Sequence, residues 1–284
     1  MWVPLLITLA VIYILGNLFI YFWQDQFLFK PEKLPKDFEF KYPNLDFKEY
    51  NFEMAPGVNI SGIHFKIENP KGVVYYLKGN SRSIKGWGKF AIDFTRQGFD
   101  VIMVDYRGFG KSTGRRTEDD IKNDLQYVYD QIKSQVNERY IILYGRSLGA
   151  GFAAKLASIN NPRMLVLESP FYSLTKVAKR FVPFMPISLI MRFPIRTHLY
   201  LQYVNCPIKI IHGTNDRLIP FSTAVELSKI KPDSTRLYPV IGAGHNNMHN
   251  YEEYHRMLEE ILQSKSPKPI DAKETSLNFK RKSI

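Results

Sequence analysis

Only one cysteine, Cys206, occurs in the 284 residues, so no intrachain disulfide can form and the redox compartment stays open. Cys206 precedes Pro207 at the edge of an apolar run and reads as a small packed hydrophobe. Charged side chains are absent from Trp2 to Trp23, Asp25 being the first. Acidic residues are absent from 170–205, although Lys176, Lys179, Arg180, Arg192 and Arg196 lie there. No metal-ligand cluster or zinc-finger spacing is visible, so neither a metal nor an organic cofactor is expected. The formal net charge of +12 favours an anionic partner, but no RNP pattern or basic recognition helix accompanies it, which argues against nucleic acid. Hydrophobic residues make up 45% of the chain, which excludes global disorder, and no internal repeat is present.

The uncharged stretch 2–23 is long enough to cross a bilayer as a helix, with Trp2 at one end and Tyr21, Phe22 and Trp23 at the other as interfacial aromatics. A basic n-region and a small-residue cleavage site are both missing, so it reads as an uncleaved single-pass anchor rather than a signal peptide. Lys30, Lys33, Lys36 and Lys41 follow it, and the positive-inside rule leans toward a cytoplasmic catalytic domain. Residues 24–45, with Pro31, Pro35 and Pro43, read as a stiff linker, so removing residues 1–24 is expected to release an active soluble domain.

From Asp46 the pattern changes. Short β-branched or aromatic runs at 47–54, 60–67, 72–77, 99–104, 140–144, 164–168, 208–212 and 236–240 read as strands, the first two forming a hairpin at Pro56-Gly57. They alternate with helical segments at 86–97, 118–135, 148–158, 222–230 and 251–263. This predicts an α/β domain over 46–263, a mostly parallel central sheet flanked by helices. The segment 170–205 is longer than a crossover helix needs and reads as a short helical cap insert; 264–284, with six basic and two acidic residues, reads as a disordered basic tail.

The strongest local signal is Gly145-Arg146-Ser147-Leu148-Gly149, between the strand-like Tyr-Ile-Ile-Leu-Tyr and the helical Ala150 to Ala157. A G-x-S-x-G at a strand-to-helix turn thrusts a serine hydroxyl outward, and the helix N-terminus favours developing negative charge. A serine needs a base. His245, in Gly242-Ala243-Gly244-His245-Asn246-Asn247 after the last strand, is the candidate, with His249 as the substitute. The histidine needs a carboxylate to hold its tautomer. Asp216, in His212-Gly213-Thr214-Asn215-Asp216, is the candidate and Glu168 its rival; Asp105, upstream of the serine, is assigned to loop structure.

Together with Lys78-Gly79-Asn80 and Asp105-Tyr106-Arg107-Gly108-Phe109-Gly110-Lys111-Ser112, these motifs make the chain resemble the α/β-hydrolase superfamily over about 46–263, within its membrane-anchored serine-aminopeptidase-like and esterase-like subgroup. The resemblance implies the catalytic order Ser147, Asp216, His245. It also implies an oxyanion hole from the backbone N–H groups of Asn80 and Leu148. In that family the loop after the third strand usually reads His-Gly-Asn; here Lys78 replaces the histidine, and it is expected to face solvent or an anionic head group.

The function these readings imply is a membrane-anchored serine hydrolase cleaving carboxylic ester or thioester bonds through an acyl-enzyme on Ser147. Phe171, Phe181, Phe184, Met185, Met191 and Phe193 give the insert an apolar character, so the expected partners are a lipid-like acyl substrate and the membrane. The alternatives are a serine peptidase, for which Glu168 is the obvious acid to receive a free amine, and a silent scaffold, disfavoured by an intact triad.

Overall fold

Strands buried on both faces, alternating with helices, dictate the architecture. β3 (Val73–Leu77), β4 (Asp100–Val104), β5 (Ile141–Arg146) and β6 (Met164–Glu168) are buried at every position, the signature of parallel strands covered above and below. With β1 (Asp46–Ala55), β2 (Val58–Lys66), β7 (Ile208–Gly213) and β8 (Thr235–Val240) they form one sheet in the order β1-β2-β4-β3-β5-β6-β7-β8. β2 is antiparallel to both β1 and β4, and every pair from β4 to β8 is parallel. The structure, a computed structural model, describes residues 2–264, so the expected basic tail lies outside the described residues apart from Ser264.

The helices are α1 (Trp2–Leu28), α2 (Ile84–Trp87), α3 (Ile92–Thr95), α4 (Glu118–Lys133), α5 (Leu148–Ala157), α6 (Leu174–Phe181), α7 (Ile187–Ile190), α8 (Thr197–Leu201), α9 (Phe221–Ser228) and α10 (Glu252–Gln263). α4 opens on a capping box in which the Thr117 hydroxyl accepts from the Asp120 N–H and Asp120 accepts from the Thr117 N–H. Alternation along β3 divides the core. Val73, Tyr75 and Leu77 belong to the core on the side of α4, α5 and α9, while Val74 and Tyr76 belong to the core on the side of α3 and α10.

Two expectations need correction. The helix expected over 86–97 is broken into α2, a 3-10 turn at Gly88–Ala91, and α3. The Tyr42 ring lies where a Gly88 side chain would be, and its hydroxyl donates to Ile84 O (2.9 Å), so this stretch bends around an aromatic from a distant segment. The stiff linker expected over 24–45 is instead part of the fold. α1 continues to Leu28, Phe29 is buried between Phe109 and Phe193, and Leu34 N–H and Gly110 N–H exchange hydrogen bonds with Gly110 O and Glu32 O.

α1 is long and apolar enough to cross a membrane and is exposed along most of its length. Its one buried residue is Gln24. The Gln24 amide donates to Ile190 O (2.9 Å) and accepts from the Arg192 N–H (2.7 Å), and Asp25 pairs with Arg116 (2.8 Å). The base of α1 is therefore latched to the segment that carries α6 and α7.

Candidate active site

The chain leaves β3 toward β4 on one side and enters β5 on the other, so the carboxyl ends of β3 and β5 flank a topological switch point, where α/β sheets hold their ligands. Ser147 sits there, at the turn from β5 into α5, with φ 52° and ψ −114°. A non-glycine residue at positive φ is strained by about 1–3 kcal/mol, and the surroundings must hold it. They do so by contact and by hydrogen bonding. A side chain at Gly145 would run into the backbone of Gly149 and Ala150, and one at Gly149 into the carbonyls of Leu77 and Lys78. The Ser147 N–H donates to Glu168 O (2.8 Å).

His245 and Asp216 reach the serine from neighbouring loops. The Asn215 N–H donates to Ala243 O (2.9 Å), and Ala243 occupies the space a Gly213 side chain would need, so the loops after β7 and β8 are locked together. His245 Nε2 lies 3.0 Å from Ser147 Oγ and Nδ1 lies 2.7 Å from Asp216 Oδ2. These distances fit a neutral ring donating from Nδ1 and accepting at Nε2. Asp216 Oδ1 accepts the N–H groups of Leu218 (2.9 Å) and Ile219 (2.8 Å). Burial alone would raise the Asp216 pKa, but hydrogen bonds from His212, His245 and Ile219 outweigh it and hold the carboxyl far below the usual carboxylate range.

Asn80 and Leu148 line the same cavity as Ser147. Leu148 is the first residue of α5, where a backbone N–H has no intrahelical partner. The Asn80 loop is tied down by its side chain, which donates to Leu28 O (2.7 Å), and by its carbonyl, which accepts from the Lys30 N–H (2.9 Å).

Glu168 and His249 belong to a separate buried cluster. Glu168 is fully buried, salt-bridged to Arg146 Nε (3.0 Å), 3.3 Å from His249 Nε2, and bonded by the Tyr144 hydroxyl. Burial would raise its pKa, but Arg146, His249 and Tyr144 bring it down to about 2. Glu168 is thus directed away from His245, and His249 sits between Asp93 and Glu168 with its ring on Phe90. Neither touches Ser147 with its side chain.

Lys78 corrects another expectation. It faces neither solvent nor a head group but is completely buried, with Nζ 3.4 Å from Asp105 Oδ1 and 3.8 Å from the Phe109 ring centroid. Burial lowers its pKa to about 8 against the pull of Asp105, and raises Asp105 to about 6 against the pull of Lys78. The Tyr106 hydroxyl donates to Lys78 O (2.6 Å), so this pair buttresses the loop leading to Asn80.

A cavity of about 910 Å³ opens over Ser147 and His245. Its walls are largely apolar, drawn from α6 and α7 on one side and, unexpectedly, from α1 on the other; Arg146 and Lys30 are its charged lining residues, and Asp and Glu are absent from the described lining. Sequence reasoning missed the α1 contribution. The near-uniform hydrophobicity of 2–23 marks no face, and nothing in the sequence sets Gly16 and Gln24 apart from the neighbouring Asn17 and Gln26.

A family model described as serine aminopeptidase S33 matches residues 68–200. Among curated proteins, the chain is similar to lysophosphatidylserine lipase ABHD12 of Xenopus tropicalis, 29% identical over 224 residues, covering 67% of this chain and 57% of that protein. It is also similar to the alpha/beta hydrolase domain-containing protein aho-3 of Caenorhabditis elegans, 33% identical over 175 residues, covering 57% of this chain and 48% of that protein. The chain therefore spans only about half the length of these relatives. Among solved structures, the Pyrococcus furiosus esterase Pf2001 superposes with a TM-score of 0.64 at 21% identity, covering 83% of this chain and 96% of that one, a likeness of fold. By its sheet and by these matches, the chain has the α/β-hydrolase fold and is similar to lipases and esterases that share it.

Proposed function

We propose that the protein is a membrane-attached serine hydrolase that cleaves carboxylic ester or thioester bonds of an amphiphilic substrate through an acyl-enzyme on Ser147. The observation that carries this reading is the hydrogen-bonded line Asp216–His245–Ser147 at the mouth of an apolar cavity. His245 takes the Ser147 proton as Oγ attacks the acyl carbonyl, and Asp216 stabilises the imidazolium that forms. The Asn80 and Leu148 N–H groups receive the oxyanion. The leaving group departs with the proton from His245, and a water activated by the same ring releases the acyl group.

The lipase and esterase names of the relatives support acyl-ester chemistry. α1, uncharged from Trp2 to Trp23 and long enough to cross a membrane, supports attachment to a bilayer. A peptidase selecting a free amino terminus is disfavoured, because Glu168 is occupied by Arg146 and the described cavity lining offers no carboxylate.

The test is labelling of the full-length chain by a fluorophosphonate. The wild type should label and Ser147→Ala should not; labelling undiminished in the variant would overturn the nucleophile assignment. A panel of esters, thioesters and aminoacyl amides then separates the bond classes, and turnover confined to the amides would reject the ester reading.

A further inference from the structure

α1 is apolar on every side, so its composition marks no preferred face. The structure does. Gly16, Phe19, Ile20, Gln24 and Phe27 line the cavity, and their spacing of three to four residues puts them on one face of the helix. Leu18 does not line the cavity and is exposed. At the catalytic end this face is fixed to the Asn80 loop through Leu28 O, and in its middle Gln24 fixes it to Ile190 and Arg192.

At the far end the Tyr13 hydroxyl donates to Phe184 O (3.2 Å), and a side-chain carbon on Gly16 would lie 3.5 Å from Met185 Cε. Between Gly16 and Leu28 runs about 18 Å of helix. Val177, Phe181 and Met185 face this length from the other wall. Phe184 (90% exposed), bonded through its carbonyl to Tyr13, stands beside the exposed apolar surface of α1.

We propose that α1 is one wall of a channel for the substrate's acyl chain, that the channel accepts a long unbranched chain, and that Gly16 sets the longest chain accommodated. The proposal rests on the acyl-enzyme reading and deepens it. An apolar channel running this far from the nucleophile gives a hydrocarbon chain burial without requiring any polar partner. Glycine weakens a helix interior, and at position 16 it leaves open the place where α1 meets the tip of the cap. The channel's far end adjoins the exposed apolar surface of α1 and Phe184, so the chain passes between the cavity and the lipid that covers this surface.

The experiment uses the full-length protein in detergent micelles with p-nitrophenyl esters of increasing acyl length, active sites being counted by fluorophosphonate. In the wild type kcat/KM should rise with each added methylene, by up to roughly fourfold, until the channel is filled. Gly16→Phe should move that limit to shorter chains, lowering kcat/KM for the longest ester about tenfold or more relative to the shortest. Leu18→Phe places the same side chain outside the channel and should leave the profile as in the wild type. A Gly16→Phe profile identical to wild type would overturn the proposal, as would a wild type that rejects long chains. If Gly16→Phe no longer labels at Ser147, Ile20→Ala decides instead: it widens the channel and should improve the longest esters, and an unchanged profile overturns the proposal. A wild type that fluorophosphonate does not label would sink the acyl-enzyme reading instead; retention of a fluorescent long-chain fatty acid, lost in Gly16→Phe, would then decide the channel by binding alone.

Discussion

Replacing Lys78 by methionine keeps most of the side chain's volume but removes the charge facing Asp105. Both side chains are fully buried and 3.4 Å apart, so their attraction is about 5 kcal/mol at an effective dielectric constant of about 20. Part of that loss is recovered, because both Asp105 oxygens still lie 3.1 Å from the Ile84 N–H and the carboxyl can take up a proton. Breaking one side of a buried pair destabilises proteins by about 3–5 kcal/mol, and Lys78→Met should fall at the lower end of that range. The loss depends on pH with a defined sign. Burial already raises Asp105 to about 6, and without Lys78 it rises further. A carboxyl whose folded pKa exceeds its unfolded value holds its proton in the fold, so stability falls as pH rises from the unfolded value through the folded one. Lys78→Met should therefore be closer to wild type near about pH 5 than near about pH 8. Adding Asp105→Asn, which retains an acceptor for Ile84 N–H, should restore most of the loss and flatten its pH dependence. Urea unfolding followed by tryptophan fluorescence measures all three chains. A Lys78→Met midpoint equal to wild type at both pH values, or a loss equal at both, would refute the buried-pair argument.

Two carboxylates close to the site should respond differently to amidation. Asp216→Asn should lower kcat by about 10³–10⁴-fold, because the wrong histidine tautomer is then favoured, while the fold is retained since Leu218 and Ile219 N–H keep an acceptor. Glu168→Gln should mainly lower the unfolding midpoint, because it leaves the buried Arg146 charge unpaired; a larger loss in kcat than in Asp216→Asn would reverse the assignment of the acid. Glu168 is brought down to about 2, below its unfolded value, so its stabilisation is present above about pH 4.3 and is lost as pH falls toward about 2. Acid titration of wild type against Glu168→Gln measures it, and the two curves should converge at low pH.

The strands are legible in the sequence because β3, β4, β5 and β6 are buried on both faces and appear as continuous apolar runs. Ser147, Asp216 and His245 are legible because each lies in a loop at a strand's carboxyl end with glycine close by. What stays hidden depends on partners distant in the chain. Lys78 looks like a surface lysine until Asp105 and Phe109 close over it. The stretch 86–97 has helical spacing, and the Tyr42 ring that occupies the space beside Gly88 comes from a distant segment. In α1, uniform hydrophobicity hides the face that turns toward Ser147, since a helix without an apolar stripe has no direction to read.

The latch at Gln24 bears on how the chain folds. The Ile190 carbonyl to which it donates lies 166 positions further along, and the Arg192 N–H from which it accepts lies 168. Contacts of such separation form late, after the entropy of closing the intervening chain has been overcome. The sheet can pair from β3 onward through connections much shorter than that. The cap is therefore expected to consolidate late, on a helix that precedes it by more than 160 positions.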